Sequence, residues 1–344
     1  MNDIIINLRE GWNNQGCTYT RGSAFLEEKL LKGAELTAYI ENSTEKDKKK
    51  LIENLNGFFS VIQKNSEGIF IAVDRIRSIP LFYAKKEEKY LISDDPYWIK
   101  ENIGDNKFDE LSKNELLLTG YVTGSDTLYK DIKQMRAGEI LYIKNDELTT
   151  DKYYELFNND YFHCSKKELL KKHYEVLLKA FKRLINYADG RTIVIPLSGG
   201  YDSRLVATML KNLDYKNVIT FSYGKFNSPE AVISKRVAEN LGFKWLFILY
   251  DNDKTYEWYN SEERKMYGKM ADNLCSTCID RDWPSVWQLK KNNMIPKDAI
   301  VVPGHSGDFI GGNFIPFELY KKKNISGEEI FEEILKKCYV MLNL

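Results

Sequence analysis

The stretch that most restricts this chain is TIVIPLSGGYDSRLVATML, residues 192–210. Ile193, Val194 and Ile195 are β-branched, two glycines and three polar side chains fill Ser198–Ser203, and Leu205, Val206, Met209 and Leu210 recur at helical spacing. A strand passing through a glycine turn into a helix predicts a parallel α/β sheet with an anion site beyond the strand's carboxyl end. Gly199 and Gly200 let the backbone approach a phosphate, while Ser198 and Ser203 offer hydroxyls. Asp202 would repel a phosphate unless a cation lay between them, which argues for Mg²⁺ bridging to a polyphosphate. The lysine of a G-x-x-x-x-G-K-[ST] loop is missing and the adjacent glycines do not fit G-x-G-x-x-G. Two other readings stay open. One is a hydrolase elbow, with Pro196 in place of its first glycine and His305 as partner. The other is a purely structural turn.

A length of 344 residues predicts two domains, and we place their boundary near 157–164, giving 1–160 and 161–344. In the first, GFFSVIQ (57–63), GIFIAVD (68–74), LFYAKK (81–86) and KYLISDD (89–95) predict an antiparallel meander. A hairpin is expected over 137–156, turning at KND, with helices over 46–55 and 112–120. In the second, apolar residues at 169, 170, 174, 177, 178, 181, 184 and 185 predict a long amphipathic helix capped by Ser165. Strand 193–197, helix 203–213, strand 217–222, helix 229–241 and strand 244–249 follow, with a later strand in AIVVPG (299–304).

Lys+Arg and Asp+Glu are both 50, so no overall field favours nucleic acid or an anionic membrane. No run approaches the roughly 18 apolar residues of a membrane helix, and MNDIIINLREGW is not a signal peptide. Five scattered cysteines fit a reducing cytoplasm. The C-x-x-C of CSTC (275–278) lacks the second pair that a four-ligand zinc site needs, so free thiols are expected there.

SGGYDS matches the S-G-G-x-D-S pyrophosphate loop of the ATP pyrophosphatase superfamily, whose members split ATP between the α- and β-phosphates. The run TFSYG and its following helix (220–242) resembles the corresponding segment of asparagine synthetases. VVPGHSGDFIGG (301–312) resembles their second loop, usually S-G-E-G-A-D-E-L-F-G-G. LNGFFSVI (55–62), VDRIRSIPLFYA (73–84) and YVTGSDTLYKDIKQMRAGEILYI (121–143) look like the glutaminase-type domain of that family. The resemblance implies an Ntn-hydrolase-like αββα sandwich followed by a doubly wound parallel-sheet ATP pyrophosphatase domain of the adenine nucleotide α-hydrolase-like kind. Carried over by position, Ser198, Gly199, Gly200, Asp202 and Ser203 would cradle pyrophosphate, and Asp202 with Asp308 would hold Mg²⁺. Phe221, Ser222, Tyr223 and Gly224 would border adenosine, and Gly304 would line the nucleotide or acyl-adenylate pocket. The implied reaction activates a carboxylate as acyl-AMP, which an amine then attacks.

Several positions depart from the family. Glutaminase domains of this type use a cysteine at position 2, where this chain has Asn2, while Cys17 is internal. A glutaminase-dead domain is therefore expected, with a misplaced start codon as the competing explanation. His305 stands where the family has a glutamate, and Phe309 replaces the acidic residue after Asp308. A histidine can deprotonate an amine near neutral pH, or merely hydrogen-bond within the turn. Arg204 can meet a phosphate or carboxylate, or extend to solvent. Family members continue through helices bearing a phosphate-contacting lysine, so the resemblance implies a truncated synthetase half; Lys336 and Lys337 are too near the loop to be assigned that role.

Two classes of function follow. The leading one is an ATP-dependent amide ligase joining a small-molecule or peptide carboxylate to ammonia or a substrate amine, as β-lactam synthetases and lasso-peptide cyclases do within one substrate. The other is a nucleotide-responsive pseudoenzyme. Neither involves nucleic acid or a membrane, the C-x-x-C of tRNA-thiolating relatives notwithstanding, and either allows a homodimer.

Overall fold

The computed structural model describes residues 3–44, 47–66, 68–104, 107–156, 162–305, 307, 316–322 and 324–338. They divide into two compact units, residues 1–160 with 271–277, and 161–270 with 278–343.

The first unit runs β1 (Asp3–Asn7), β2 (Asn13–Gln15), β3 (Thr18–Leu26), β4 (Lys29–Lys32), α1 (Ala34–Glu41), α2 (Lys48–Glu53), β5 (Leu55–Asn65) and β6 (Gly68–Val73). It continues through β7 (Phe82–Lys86), β8 (Lys89–Ser93), α3 (Pro96–Ile103), α4 (Glu110–Thr119), β9 (Ile132–Gln134), β10 (Glu139–Lys144) and β11 (Glu147–Lys152). These strands do not form one meander. They build a seven-stranded sheet, β11-β10-β6-β5-β3-β2 with β4 on β3, and a four-stranded sheet, β1-β8-β7-β9. Side-chain alternation explains how both faces are used. In β6, Ile69, Ile71 and Val73 pack toward Tyr90 and Ile92 of β8, while Phe70 and Ala72 pack toward Ile40, Leu51 and Ile52 of α1 and α2. In the smaller sheet, Phe82, Ala84 and Leu91 pack on Ile99 of α3. The layers are thus helix, sheet, sheet, helix, the αββα sandwich expected. The hairpin β10–β11 turns at Asn145 and Asp146, both with positive φ (50° and 67°). The VDRIRS segment is a surface turn tied to one buried carboxylate: Asp74, fully buried, accepts from the backbone N–H groups of Phe59, Ile76 and Ser78.

The second unit contains α5 (Lys166–Ala188), β12 (Ile193–Pro196), α6 (Tyr201–Asn212), β13 (Val218–Gly224), α7 (Pro229–Leu241) and β14 (Lys244–Leu249). Then come α8 (Asn252–Tyr259), α9 (Glu262–Asp272), α10 (Trp283–Lys291), β15 (Ile300–Val301), α11 (Phe317–Tyr320) and α12 (Gly327–Cys338). The sheet order is β14-β13-β12-β15, every pairing parallel. Phe181, Ala207, Leu210 and Ala238 of α5, α6 and α7 cover one face, and Leu289 of α10 covers Val194, Phe221 and Ile248 on the other. This is the doubly wound arrangement expected. The last strand is shorter than the sequence predicts, two residues rather than 299–304.

The long helix α5 begins where expected, with Ser165 and Glu168 forming a capping box. Among the described residues its apolar stripe joins the core from Leu177 onward; Leu169, Leu170 and Tyr174 are 42%, 58% and 50% exposed. The first turns therefore lean on the cap. Ser165→Ala should cost about 1 kcal/mol, seen as lower helicity and faster amide exchange confined to the first turns of α5. No helix among the described residues is long and apolar enough to cross a membrane.

Candidate functional site

The strand order explains the site. The chain leaves β12 toward β13 and β14 on one side and returns with β15 on the other, so the crossover direction reverses between β12 and β15. Both strands end at the same carboxyl edge, where open α/β sheets bind ligands. The loop after β12 is SGG, and the loop after β15 carries Pro303, Gly304 and His305. Between them lies a cavity of about 480 Å³, lined also by Asp202, Phe221, Tyr223, Glu230, Arg281 and Asp282.

The sequence reading placed Ser198–Ser203 in a turn. The turn is shorter, because Gly200 is the N-cap of α6 and Tyr201, Asp202 and Ser203 already lie in its first turn. Ser198 Oγ accepts from Gly200 N–H (3.1 Å) and lies 3.0 Å from Ser203 Oγ, which also accepts from Ser198 N–H. These bonds fix the loop's curvature. The N-cap glycine makes no side-chain cap, so the positive end of the helix is left open to an external anion. Arg204 bends back, its Nε donating to the Gly200 carbonyl (3.1 Å) and its guanidinium lying 4.5 Å from the Tyr201 ring centre.

The second loop presses directly on this turn. A Cβ on Gly304 would lie 2.6 Å from Ser203 N and 3.0 Å from the Asp202 carbonyl carbon, so only glycine fits. A Cβ on Gly307 would lie 2.3 Å from the Asp202 carboxylate. The two glycine-rich loops therefore meet at Asp202. Asp308, the second expected metal ligand, lies outside the described residues, as does Phe309. What is described is one carboxylate, Asp202, lining the cavity with the Ser198 and Ser203 hydroxyls, all of them oxygen groups; among the described residues no cluster of three His, Cys, Asp or Glu side chains could hold a metal ion.

The aromatic strand end divides its labour. Phe221 is fully buried beneath the cavity, and Ser222 is committed internally: its hydroxyl donates to the Leu197 carbonyl (2.6 Å) and lies 2.6 Å from Ser234 Oγ, while Trp245 Nε1 donates to it. Gly199 and Gly224 fall outside the described lining; Gly224 closes β13 at φ 123° and accepts from Tyr250 N–H. Tyr223 is the polar contact. Its hydroxyl donates to Asp282 Oδ1 (2.6 Å), and its ring stacks on Tyr250 at 4.9 Å. Burial, reinforced by the Asp282 carboxylate, raises the Tyr223 phenol above its ordinary range, and burial raises that of Tyr250 to about 12. Both stay neutral at any physiological pH.

His305, 62% exposed, places Nε2 3.4 Å from Asp282 Oδ2. Asp282, Arg281 and Glu230 were not found from sequence. Asp282 stands just ahead of a Trp-Pro helix start, a capping signal, but nothing in the sequence says that this helix end faces the glycine loop. Glu230, in the first turn of α7, looks in sequence like an ordinary dipole-compensating residue. Cys275 is buried and Cys278 half-buried, and neither is in a disulfide.

A glutamine amidotransferase domain model matches residues 35–154, and an asparagine synthase model matches residues 174–261. No curated protein matches. Among solved structures, a predicted subunit of tRNA methyltransferase from Methanocaldococcus jannaschii is 19% identical with a TM-score of 0.21, the match covering 43% of this chain. This chain spans 64% of that protein's length. NH3-dependent NAD synthetase from Campylobacter jejuni is 16% identical (TM-score 0.29, 51% of this chain and 73% of that one). Glutamine phosphoribosylpyrophosphate amidotransferase from B. subtilis is 11% identical (TM-score 0.29, 76% of this chain and 74% of that one).

Proposed function

We propose that this chain, a member of the asparagine synthetase-like family with a glutamine amidotransferase-type domain and a synthetase domain, is an ATP-dependent, AMP-forming carbon–nitrogen ligase. The observation that carries the reading is the meeting of an uncapped helix N-terminus, Asp202 and two tightly packed glycines at one sheet edge. The open end of α6, with Ser198 and Ser203, receives the pyrophosphate that departs when a carboxylate attacks the α-phosphorus of ATP. Asp202 and Asp308 are the proposed Mg²⁺ ligands; bound there, the ion would offset phosphate charge. The Tyr223 ring, backed by the buried Phe221, borders the nucleoside, and the second loop, with Gly304, lies beside the acyl group. His305 takes the proton from the attacking amine, which is ammonia or an amine of the substrate itself.

The direct test is exchange of labelled pyrophosphate into ATP with a panel of small carboxylic acids. Exchange that requires one of the acids is expected; exchange with none of them, in a folded protein that includes any continuation of the chain, would overturn the reading.

The first unit works without glutamine hydrolysis in this proposal. Its thiols among the described residues are the exposed Cys17 and the buried Cys275, whose ionisation burial opposes. Incubation with glutamine should release no glutamate above the buffer blank, with or without ATP. Release proportional to enzyme would show the unit to be a working glutaminase. The free thiols favour a reducing cytoplasm.

A further inference from the structure

We propose that Asp282 is the positioning residue for His305, holding the imidazole with its proton on Nε2 so that Nδ1 is the basic atom facing the reacting amine. This rests on the ligase reading above. Three elements distant in sequence build the arrangement. Asp282, 23% exposed, offers Oδ2 to His305 Nε2 at 3.4 Å while its other oxygen accepts from Tyr223 at 2.6 Å. Tyr223 is itself held by stacking on Tyr250, whose hydroxyl lies 2.7 Å from Ser285 Oγ in the first turn of α10. A carboxylate held on one side by a neutral phenol presents its remaining oxygen to the histidine at ion-pair distance, the arrangement that favours the Nε2–H tautomer when the contact tightens around a bound amine.

The chemistry balances in this arrangement. As the amine lone pair forms the C–N bond to the acyl carbon, the bond to AMP breaks with its electrons leaving on the phosphate oxygen. The proton lost from nitrogen passes to His305 Nδ1. The imidazolium so formed is stabilised by Asp282, which stays ionised. The charged and titratable groups sharing the cavity are Asp202 of α6, Tyr223 of β13, Glu230 of α7, and Arg281 and Asp282 ahead of α10. Of these, Asp282 is the one within ion-pair distance of His305.

The chain has three histidines, His163, His173 and His305, so His305→Gln assigns the signal in long-range ¹⁵N–¹H spectra of the labelled protein. In the wild type, the neutral His305 ring should show the Nε2–H tautomer, and Asp282→Asn should mix the two tautomers. A wild-type ring in the Nδ1–H form, or a tautomer unmoved by Asp282→Asn, would overturn the proposal. The wild-type tautomer needs no variant, so the test survives if Asp282→Asn fails to fold. Pyrophosphate exchange by the wild type reports separately on the ligase reading, so failure of the pairing and failure of that reading are distinguishable.

Discussion

Replacing Asp202 with alanine is expected to reduce acid-dependent pyrophosphate exchange by about 100-fold or more, with little change in stability. The size follows from its position. Asp202 lies in the first turn of α6, lining the same cavity as Ser198 and Ser203, and a Cβ on Gly307 of the second loop would fall 2.3 Å from its carboxylate. Acting through the proposed cation, Asp202 would help hold a Lewis acid whose charge stabilisation is typically several kcal/mol, so its loss costs about 100-fold or more. The same carboxylate does little for folding. It complements the helix dipole at a half-exposed position, an effect of about 0.3–1 kcal/mol. Urea unfolding and exchange measured on one preparation separate the two effects. A variant that keeps exchange within a few fold of wild type would remove Asp202 from the site.

Gly304→Ala should be costly in both measurements. The added methyl would sit 2.6 Å from Ser203 N and 3.0 Å from Ser203 Cα, backbone atoms that no rotamer change can move aside. Either the second loop retreats or the first turn of α6 shifts. Overpacking of this kind costs about 1–3 kcal/mol. On the proposed ligase reading, displacing the loop by even an ångström would also misplace the groups around the acyl-adenylate, with a loss of up to about 100-fold. An alanine variant with wild-type stability and exchange would show that the two loops do not meet as described. Gly199 offers a contrast in the same motif, since a Cβ there would meet only Ile233 side-chain atoms, 3.5 Å or more away.

The second unit was legible in sequence to a useful degree because its signals are local. Helix α7 runs over the predicted residues, the capping box starts α5 at the predicted serine, and β12–β14 fall within a residue or two of the β-branched and aromatic runs that announce them. Each depends on side chains a few positions apart. The first unit was less transparent. The strands β5 to β8 are evident as apolar runs, but their partition between two sheets rests on pairings such as β10 with β6 and β1 with β8, across many residues. The polar strand Asn13–Gln15 carries no alternation to find; its register comes from pairing with Thr18–Thr20.

The sequence by itself determined the strand–glycine turn–helix unit, because strand, glycines and helix start are contiguous and their backbone preferences act locally. It also determined the second glycine-rich loop as a segment. Only the tertiary structure brought that loop against the first, because β15 pairs beside β12 through hydrogen bonds between residues about a hundred positions apart, which no local propensity encodes. The same holds for Asp282. In sequence it is one acidic residue among many, and in the fold the packing of Tyr223 against Tyr250 aims its carboxylate at His305. Long-range pairing and packing free energy, summed over distant residues, decided which groups share the cavity.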